Sequence, residues 1–317
     1  MSLLSSFPTM SSSTPPDPRA GLAAYAPFAN TQAFSNAEVA RFYETPPQHE
    51  APGVKIWFAR GQNFVIAYVE AQAGARIERP TQPDEYVVLQ PDASTAVEII
   101  WQGAPTSVAG HRIAFVPAGP SALQVQQAGR LVLMFSTHSA DLCALCSNQA
   151  AYEQPHPHLP PFAPWPKAAG GEQVRHYNLD VPDEPGRFGR IWRCSTFMVN
   201  VLPAQLGPRD VTQLSPHHHD DFEQCSLALD GAFKHHLRWP WTSNMNHWRE
   251  DEHAHCGSPS IAVIPPKAIH TSRGLSEGLN QLVDIFSPPR WDFSLKPGWV
   301  LNAEEYPLPK ETGHDHA

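Results

Sequence analysis

The sequence predicts an all-β fold built as two similar halves. Proline and glycine interrupt the chain often, with 34 prolines and 19 glycines among 317 residues, and this favours many short strands over long helices. Strand-like runs recur about every ten residues, a spacing typical of β-sandwiches and barrels. Since the length also exceeds that of one ordinary domain, we expect two β domains in tandem, each a barrel or a sandwich.

The first 50 residues are rich in serine, proline and alanine, which predicts an N-terminal arm, 1–50, that is partly disordered. Within this arm, 36–44 has the composition of a short helix capped by Ser35 or Asn36. The β pattern then begins, and we assign 51–150 to the first barrel. Its strand candidates are 54–59, 63–71, 85–90, 96–101, 111–116 and 130–135.

A proline-rich stretch at 154–166 predicts an extended linker, and we assign 151–184 to it. The second barrel and a C-terminal tail take 185–317. Strand candidates in this half are 190–200, 224–229, 233–239, 260–264 and 280–286. The halves also match each other, because 110–120 and 260–267 both read as a strand followed by a proline turn.

Composition excludes several classes of protein. The formal charge of −9 comes without a basic run, so a nucleic-acid partner is not expected. An odd count of five cysteines argues against a disulfide framework. The N-terminus lacks a cationic region followed by an apolar one, and no apolar run is long enough to span a membrane. We expect a cytoplasmic protein that binds a small molecule without a membrane partner, and a homodimer stays open.

The second half contains a cluster of potential metal ligands. His217 and His219 alternate, so on an extended chain both point to one face, and Glu223 shares their parity. His270 follows a proline turn some fifty residues later. Imidazoles with one carboxylate suit divalent transition metals, namely Fe(II), Mn, Ni, Cu or Zn. The alternative interpretation is an exposed polar turn in a chain with 17 histidines.

These residues resemble the two motifs of the cupin family. The first motif is similar to His217-x-His219-x3-Glu223 with Gly231 after it, and the second to Pro265-x-Lys267-x2-His270. The resemblance covers about 53–140 and 185–290. It implies tandem cupin barrels, of the double-stranded β-helix or jelly-roll type, which together make a bicupin. It also implies one divalent metal, with Fe(II) favoured, held by the three histidines and a fourth ligand.

The fourth ligand is either Glu223 or Gln224. The spacing to Gly231 fits Gln224, whereas Glu223 requires a β-bulge. We prefer Glu223, because a carboxylate binds a divalent ion more strongly. Alternate residues from Glu223 to Leu229 also form a more core-like strand face than those that begin at Gln224.

The first copy lacks imidazoles at the corresponding positions. If Glu85 aligns with Gln224, the ligand positions hold Glu78, Pro80, Glu85 and Ala122. We therefore expect a degenerate first barrel that holds no transition metal.

Two residues after the first motif are candidates for catalysis. Alternation along 233–239 places His236 and Arg238 on one face and His235 on the other. We choose His236 as a proton acceptor or donor and Arg238 as a partner for a substrate carboxylate.

The resemblance implies a metal-dependent enzyme. Its preferred form is an Fe(II)-type dioxygenase acting on a small organic substrate of the aromatic or carboxylated type. A non-redox isomerase, decarboxylase or lyase is the second form, and a non-catalytic small-molecule-binding bicupin is the third. Fold alone does not choose among them.

Overall fold

The computed structural model describes residues 33–242 and 244–310. The disorder predicted for the start of the arm falls mainly on residues 1–32, outside this part. The described chain up to residue 178 contains twelve strands, of which β1 belongs to a sheet of the second barrel and the other eleven build the first. They are β1 (Glu38–Arg41), β2 (His49–Ala51), β3 (Val54–Arg60), β4 (Phe64–Ala71), β5 (Arg76–Arg79), β6 (Tyr86–Gln90), β7 (Ala96–Trp101), β8 (Ala104–Val108), β9 (Arg112–Val116), β10 (Ser121–Gln127), β11 (Gly129–Ser136) and β12 (Arg175–Asn178).

The second half repeats this plan. Its strands are β13 (Arg190–Arg193), β14 (Met198–Val201), β15 (Gln205–Leu206), β16 (Gln224–Asp230), β17 (Phe233–Arg238), β18 (Glu252–Cys256), β19 (Ser260–Ile264), β20 (Ile269–Gly274) and β21 (Leu279–Phe286). The described helices are one turn long: α1 (Ala140–Cys143), α2 (Trp291–Ser294) and 3₁₀ turns at Phe42–Glu44, Gln149–Tyr152 and Met245–His247. The all-β prediction is confirmed, and no described helix is long and apolar enough to cross a membrane.

Each half pairs a large sheet with a small one. In the first half a seven-stranded sheet, β12-β9-β6-β11-β4-β3-β2, faces the four-stranded sheet β5-β10-β7-β8. In the second half the large sheet is β1-β19-β16-β21-β14-β13, with β15 on β21, and the small one is β18-β17-β20. All pairings are antiparallel.

Two edge strands lie outside the predicted barrels in sequence but pair with strands inside them. β1, in the predicted arm, pairs with β19 of the second barrel. β12, in the predicted linker, pairs with β9 of the first barrel. The helix predicted over 36–44 is wrong, since this segment is β1 followed by a 3₁₀ turn. A partner strand decides its conformation, because β pairing depends on tertiary context more than on propensity.

The largest core cluster lies between the barrels. It joins residues of both large sheets, including Trp57, Phe64, Trp192, Phe197 and Leu227. A second cluster fills the interior of the first barrel with apolar side chains such as Val88, Ile99 and Leu133. In the large sheets, one strand face therefore packs inside its own barrel and the other packs against the neighbouring barrel.

Candidate metal centre

Three histidines meet inside the second barrel. His217 forms an isolated bridge with His270, in which the backbone N–H of each donates to the carbonyl of the other, at 3.1 and 2.7 Å. One ring nitrogen from each of His217, His219 and His270 lies within 4.8 Å of the others, in the single such group of His, Cys, Asp and Glu among the described residues. His219 and His270 are buried and His217 is half-buried. The group could hold a metal ion.

Backbone carbonyls orient two of these rings. The Nδ1 atom of His217 lies 2.9 Å from the Ser215 carbonyl oxygen, and that of His270 lies 2.9 Å from the Ala268 carbonyl oxygen. Because a carbonyl only accepts, each Nδ1 carries the proton, which leaves the Nε2 lone pair available for a metal. Burial, followed by the charges of Arg290 and the other two histidines, holds the pKa of His219 well below its usual range. A neutral imidazole is the form that binds a metal.

Gln224 completes the group on the side of His219. Its Oε1 atom lies 2.8 Å from His219 Nε2. Its amide nitrogen donates to Asp284 Oδ1 at 3.1 Å and to Ser226 Oγ at 3.0 Å. Since an ionised carboxylate cannot donate, Asp284 fixes the amide with its oxygen toward the histidine. The contact is a hydrogen bond in which His219 Nε2–H donates to Gln224 Oε1. An ion bound by both atoms would replace this proton, and two ligands at right angles, each about 2.0–2.2 Å from one ion, would lie roughly 3 Å apart.

Glu223 points the other way, which corrects our preference for it. Its carboxylate accepts a hydrogen bond from Gln62 N at 2.6 Å and contacts His156 Nδ1 at 3.2 Å. Successive residues of a strand face opposite sides. The apolar face that continues Glu223, with Cys225 and Leu227, belongs to the core between the barrels. The strand face that looked most core-like is therefore the inter-barrel face.

His236 and Arg238 lie on the outer face of β17, so the structure does not bring them to the histidines. His236 contacts His253, with 2.8 Å between the Nδ1 atoms. Arg238 binds Asp251 at 2.7 Å, and its side chain is 69% exposed. The alternation along β17 is as predicted, but the opposite face, with His235, is the buried one.

His235 is the inward-facing histidine of β17. It is 1% exposed, and its Nδ1 lies 2.8 Å from Ser272 Oγ. Its Nε2 is buried and makes no hydrogen bond within the described part of the chain. Burial lowers the pKa of His235 to about 4. A buried polar atom without a partner is costly, and such atoms concentrate at functional sites.

Sequence reasoning missed Arg290, a buried cation behind the His219 ring. Phe222 stacks on His219 with ring centroids 4.3 Å apart. Arg290, 5% exposed, lies over Phe222 at 4.4 Å and over Phe293 at 3.8 Å, and it binds Asp292. Burial lowers the pKa of Arg290. The sequence did contain one sign of buried polar groups in this region, since Asp284 is an acidic residue in the otherwise apolar run 282–286.

Comparison with known proteins shows the fold. No family model and no curated protein matches the chain. Among solved structures, oxalate decarboxylase from Lactobacillus farciminis in a formate complex covers 83% of this chain and 89% of its own, with 13% identity and a TM-score of 0.54. AerE from Microcystis aeruginosa covers 81% and 99%, with 11% identity and a TM-score of 0.51. A cupin 2 conserved barrel domain protein from Leptotrichia buccalis covers 79% and 96%, with 10% identity and a TM-score of 0.44.

The chain has the bicupin fold. Strand pairing shows which residues of the two halves are equivalent. In the first half β9 ends at Val116, which pairs with Tyr86, the first residue of β6. In the second half β19 ends at Ile264, which pairs with Gln224, the first residue of β16. Tyr86 therefore corresponds to Gln224, and the predicted alignment of Glu85 with Gln224 is one residue out.

Glu85 instead corresponds to Glu223, and the carboxylate of each accepts hydrogen bonds from the other half of the chain. Glu85 accepts hydrogen bonds from Ser195 N at 2.8 Å and from Tyr306 Oη at 2.7 Å, both in the second half. Glu223 accepts its bond from Gln62 of the first half. The pair has a structural role at the interface.

The two barrel interiors differ at equivalent positions. The buried polar residues of the second barrel have apolar or aromatic residues at the equivalent positions of the first. Gln224 corresponds to Tyr86, Ser226 to Val88 and Asp284 to Leu133. Of the other predicted first-barrel positions, Glu78 is exposed and binds Arg76 at 2.7 Å, Pro80 is exposed, and Ala122 is buried opposite Glu78.

Proposed function

We propose that the protein is a metal-dependent enzyme whose centre lies in the second barrel. The convergence of three histidine nitrogens with the carbonyl oxygen of Gln224 carries this proposal. His217, His219 and His270 would hold one divalent transition metal, with Gln224 as fourth ligand. Imidazole suits Fe, Zn, Cu and Ni, so ligand type does not exclude our first choice, Fe(II).

The charge of this ligand set favours an anionic substrate. Three neutral imidazoles and one amide carry no charge, so compensation of a divalent ion would come only from groups behind them, such as Asp284, 3.1 Å from the Gln224 amide nitrogen. Buried Arg290 adds a second positive charge behind His219, partly offset by Asp292 and Asp284. The barrel is therefore suited to a small carboxylate-bearing molecule.

The reaction has two candidate forms. Four protein ligands leave about two positions of an octahedral ion open, and an Fe(II)-type dioxygenase needs positions for O₂ and substrate. Against it, the two-histidine, one-carboxylate triad typical of such oxygenases is not formed here, because Glu223 faces away. A decarboxylase or lyase needs only the Lewis acid that a bound ion supplies. The fold it shares with the oxalate decarboxylase of Lactobacillus farciminis is compatible with this form.

His235 is the described residue best placed to exchange a proton beside this centre. It replaces His236 in that role, because its unpartnered Nε2 lies inside the barrel. Its low pKa, near 4, keeps the imidazole neutral at neutral pH, with one nitrogen protonated and the other able to accept a hydrogen bond.

Elemental analysis of protein purified without added metal tests the proposal. We expect close to one transition metal per chain in the wild type. In a His217→Ala/His270→Ala double variant we expect less than about a tenth of it, since losing two ligands costs well over 1.4 kcal/mol of binding. His236→Ala is the matched control and should keep the metal. A double variant that still carries one tightly bound metal would refute the centre.

The two reaction forms separate once metal-free protein is loaded with Fe(II) or Mn(II). A panel of small carboxylic acids is then followed by oxygen consumption and by CO₂ release. Oxygen uptake that depends on substrate and iron indicates the dioxygenase. CO₂ release without oxygen uptake indicates the decarboxylase. Metal-dependent binding of an acid with no turnover indicates the non-catalytic bicupin.

A further inference from the structure

A cavity of about 290 Å³ lies at the mouth of the first barrel, away from the proposed metal centre. It lies between the loops that precede β6 and follow β9 and the linker segment 164–172. Its volume is close to the lower end of the range for small-ligand pockets, roughly 300–1,000 Å³. Most of its wall is apolar and rigid, formed by Pro83, Pro117, Ala118, Pro164, Trp165 and Ala168.

One end of this cavity carries a carboxylate–imidazole pair. His138 Nδ1 lies 3.0 Å from Asp84 Oδ2. The same oxygen accepts from Ser136 Oγ, and Gln82 Nε2 donates to Asp84 Oδ1 at 3.4 Å. Because Ser136 Oγ also accepts from His138 N at 3.2 Å, its own proton goes to Asp84. The carboxylate is thus surrounded by donors, which places the His138 proton on Nδ1.

The remaining nitrogen of His138 is an acceptor. Within the described part of the chain, Nδ1 makes the only hydrogen bond of this ring, so Nε2 keeps a lone pair. The ring lines the cavity and meets Phe162 edge-on, with centroids 5.0 Å apart. An oriented imidazole acceptor therefore stands beside an aromatic and proline-lined wall.

The cations that line the cavity are already compensated. Lys167 binds Glu172 at 2.5 Å, and Arg175 binds Glu305 at 3.0 Å. Arg175 also donates to the carbonyls of Ala169 and Gly171. The wall also carries the acidic residues Asp84, Glu85 and Glu172, which outnumber its two cations, so a neutral ligand fits better than a carboxylate.

We propose that this cavity is a binding site for a small, neutral, planar aromatic molecule with one hydrogen-bond donor, such as a phenol. The donor meets His138 Nε2 and the ring packs against Trp165 and the prolines. Three of the lining residues, Pro83, Pro117 and Pro164, are prolines, which limits the conformational freedom lost on binding. The site uses no residue of the proposed metal centre, and it gives the first barrel a ligand of its own.

Titration calorimetry with phenol on the full chain, treated with a chelator, tests the site without a contribution from bound metal. We expect saturable 1:1 binding. Toluene lacks the donor and leaves His138 without a partner, so it should bind at least about tenfold more weakly. Benzoate should not bind measurably. Failure of phenol to saturate, or equal binding of toluene, overturns the proposal.

Variants locate the site. Ala118→Phe fills the cavity and should abolish phenol binding. His138→Phe removes the acceptor and should weaken phenol by about tenfold while toluene is unaffected. The second change sits on a half-exposed side chain and therefore tests the site even if Ala118→Phe does not fold. His236→Ala, on the outer face of β17, is the matched control and should bind phenol like the wild type. Phenol binding that survives in folded Ala118→Phe, or is lost in His236→Ala, places the ligand elsewhere.

Discussion

Substitutions at the neighbouring residues Gln224 and Glu223 should have different effects. A change at Gln224 should weaken metal binding, whereas a change at Glu223 should lower stability and leave the metal bound. Gln224→Ala removes the oxygen that lies 2.8 Å from His219 Nε2. Changes to groups around a metal typically cost 10–100-fold in affinity, and we expect a loss of at least about tenfold, or roughly 1.4 kcal/mol. The backbone of β16 stays paired on both sides, so the fold should survive.

Glu223→Gln should lower stability and leave the metal in place. The carboxylate is buried and holds Gln62 N at 2.6 Å and His156 Nδ1 at 3.2 Å. Hydrogen bonds to charged groups contribute about 1.5–3 kcal/mol, and glutamine keeps one acceptor. A loss of about 1–2 kcal/mol is therefore expected. At about 2–4 °C per kcal/mol for a larger domain, it should appear as a fall of several degrees in Tm.

The stability difference should depend on pH. Burial alone would lower the pKa of His156, but its hydrogen bonds to Glu223 and to the Ala151 carbonyl outweigh burial and raise it. A raised pKa means that this stabilisation is complete below the ordinary histidine value of about 6.5 and is lost as the pH rises through the folded value. Glu223→Gln should therefore cost more at pH 6 than at pH 9.

The assays are metal content after dialysis against a weak chelator and thermal unfolding, both run on each variant. Gln224→Ala should lose metal and unfold somewhat earlier, because Ser226 and Asp284 lose a buried partner, whereas Glu223→Gln should keep metal and unfold earlier. Metal content therefore separates the two variants. The reasoning fails if Glu223→Gln empties the centre while Gln224→Ala keeps it full. That result would mean that Glu223 faces the histidines.

Three further changes test other parts of the structure. Arg130→Met should lower the free energy of unfolding in urea by about 1–2 kcal/mol, less so at high salt, because Arg130 bridges Asp92 and Asp230 between the barrels at 2.8 Å each. Arg238→Ala should leave metal content unchanged and shift stability by less than about 0.5 kcal/mol, since its ion pair is exposed. Asp284→Leu should lower metal affinity by about tenfold in the same chelator assay and also lower metal-free stability, because it leaves the buried Gln224 amide and Ser226 hydroxyl without the acceptor that they share.

The fold was predictable because it depends on spacing. Turn residues and strand runs recur along the chain, and most predicted strands, such as 96–101 and 260–264, match strands of the structure. Segments that gain their partner from the other barrel were not predictable in this way. β1 reads locally as a helix start, and β12 lies beyond the proline-rich segment of the predicted linker, because each pairs with a distant edge that no local pattern records.

The candidate site was predictable only in part, for a physical reason. Alternation correctly separated Glu223 from Gln224 and His235 from His236, but it does not say which face is the interior of the barrel. We took the more apolar face of β16 as the interior. In a bicupin, however, the other barrel also buries one face of each large sheet, and that face is the more apolar one.

The two interiors divide stability and chemistry between them. Buried polar groups such as Gln224, Ser226 and Asp284 cost more to fold than the apolar side chains at the same positions of the first barrel. They are satisfied here by bonding to one another, at 3.0–3.1 Å, and to His219. The first barrel has a packed apolar interior and shares its outer sheet face with the second. The apolar surface that the first barrel buries offsets the free-energy cost of the polar interior of the second barrel. This is a physical reason for keeping a barrel that lacks the histidines.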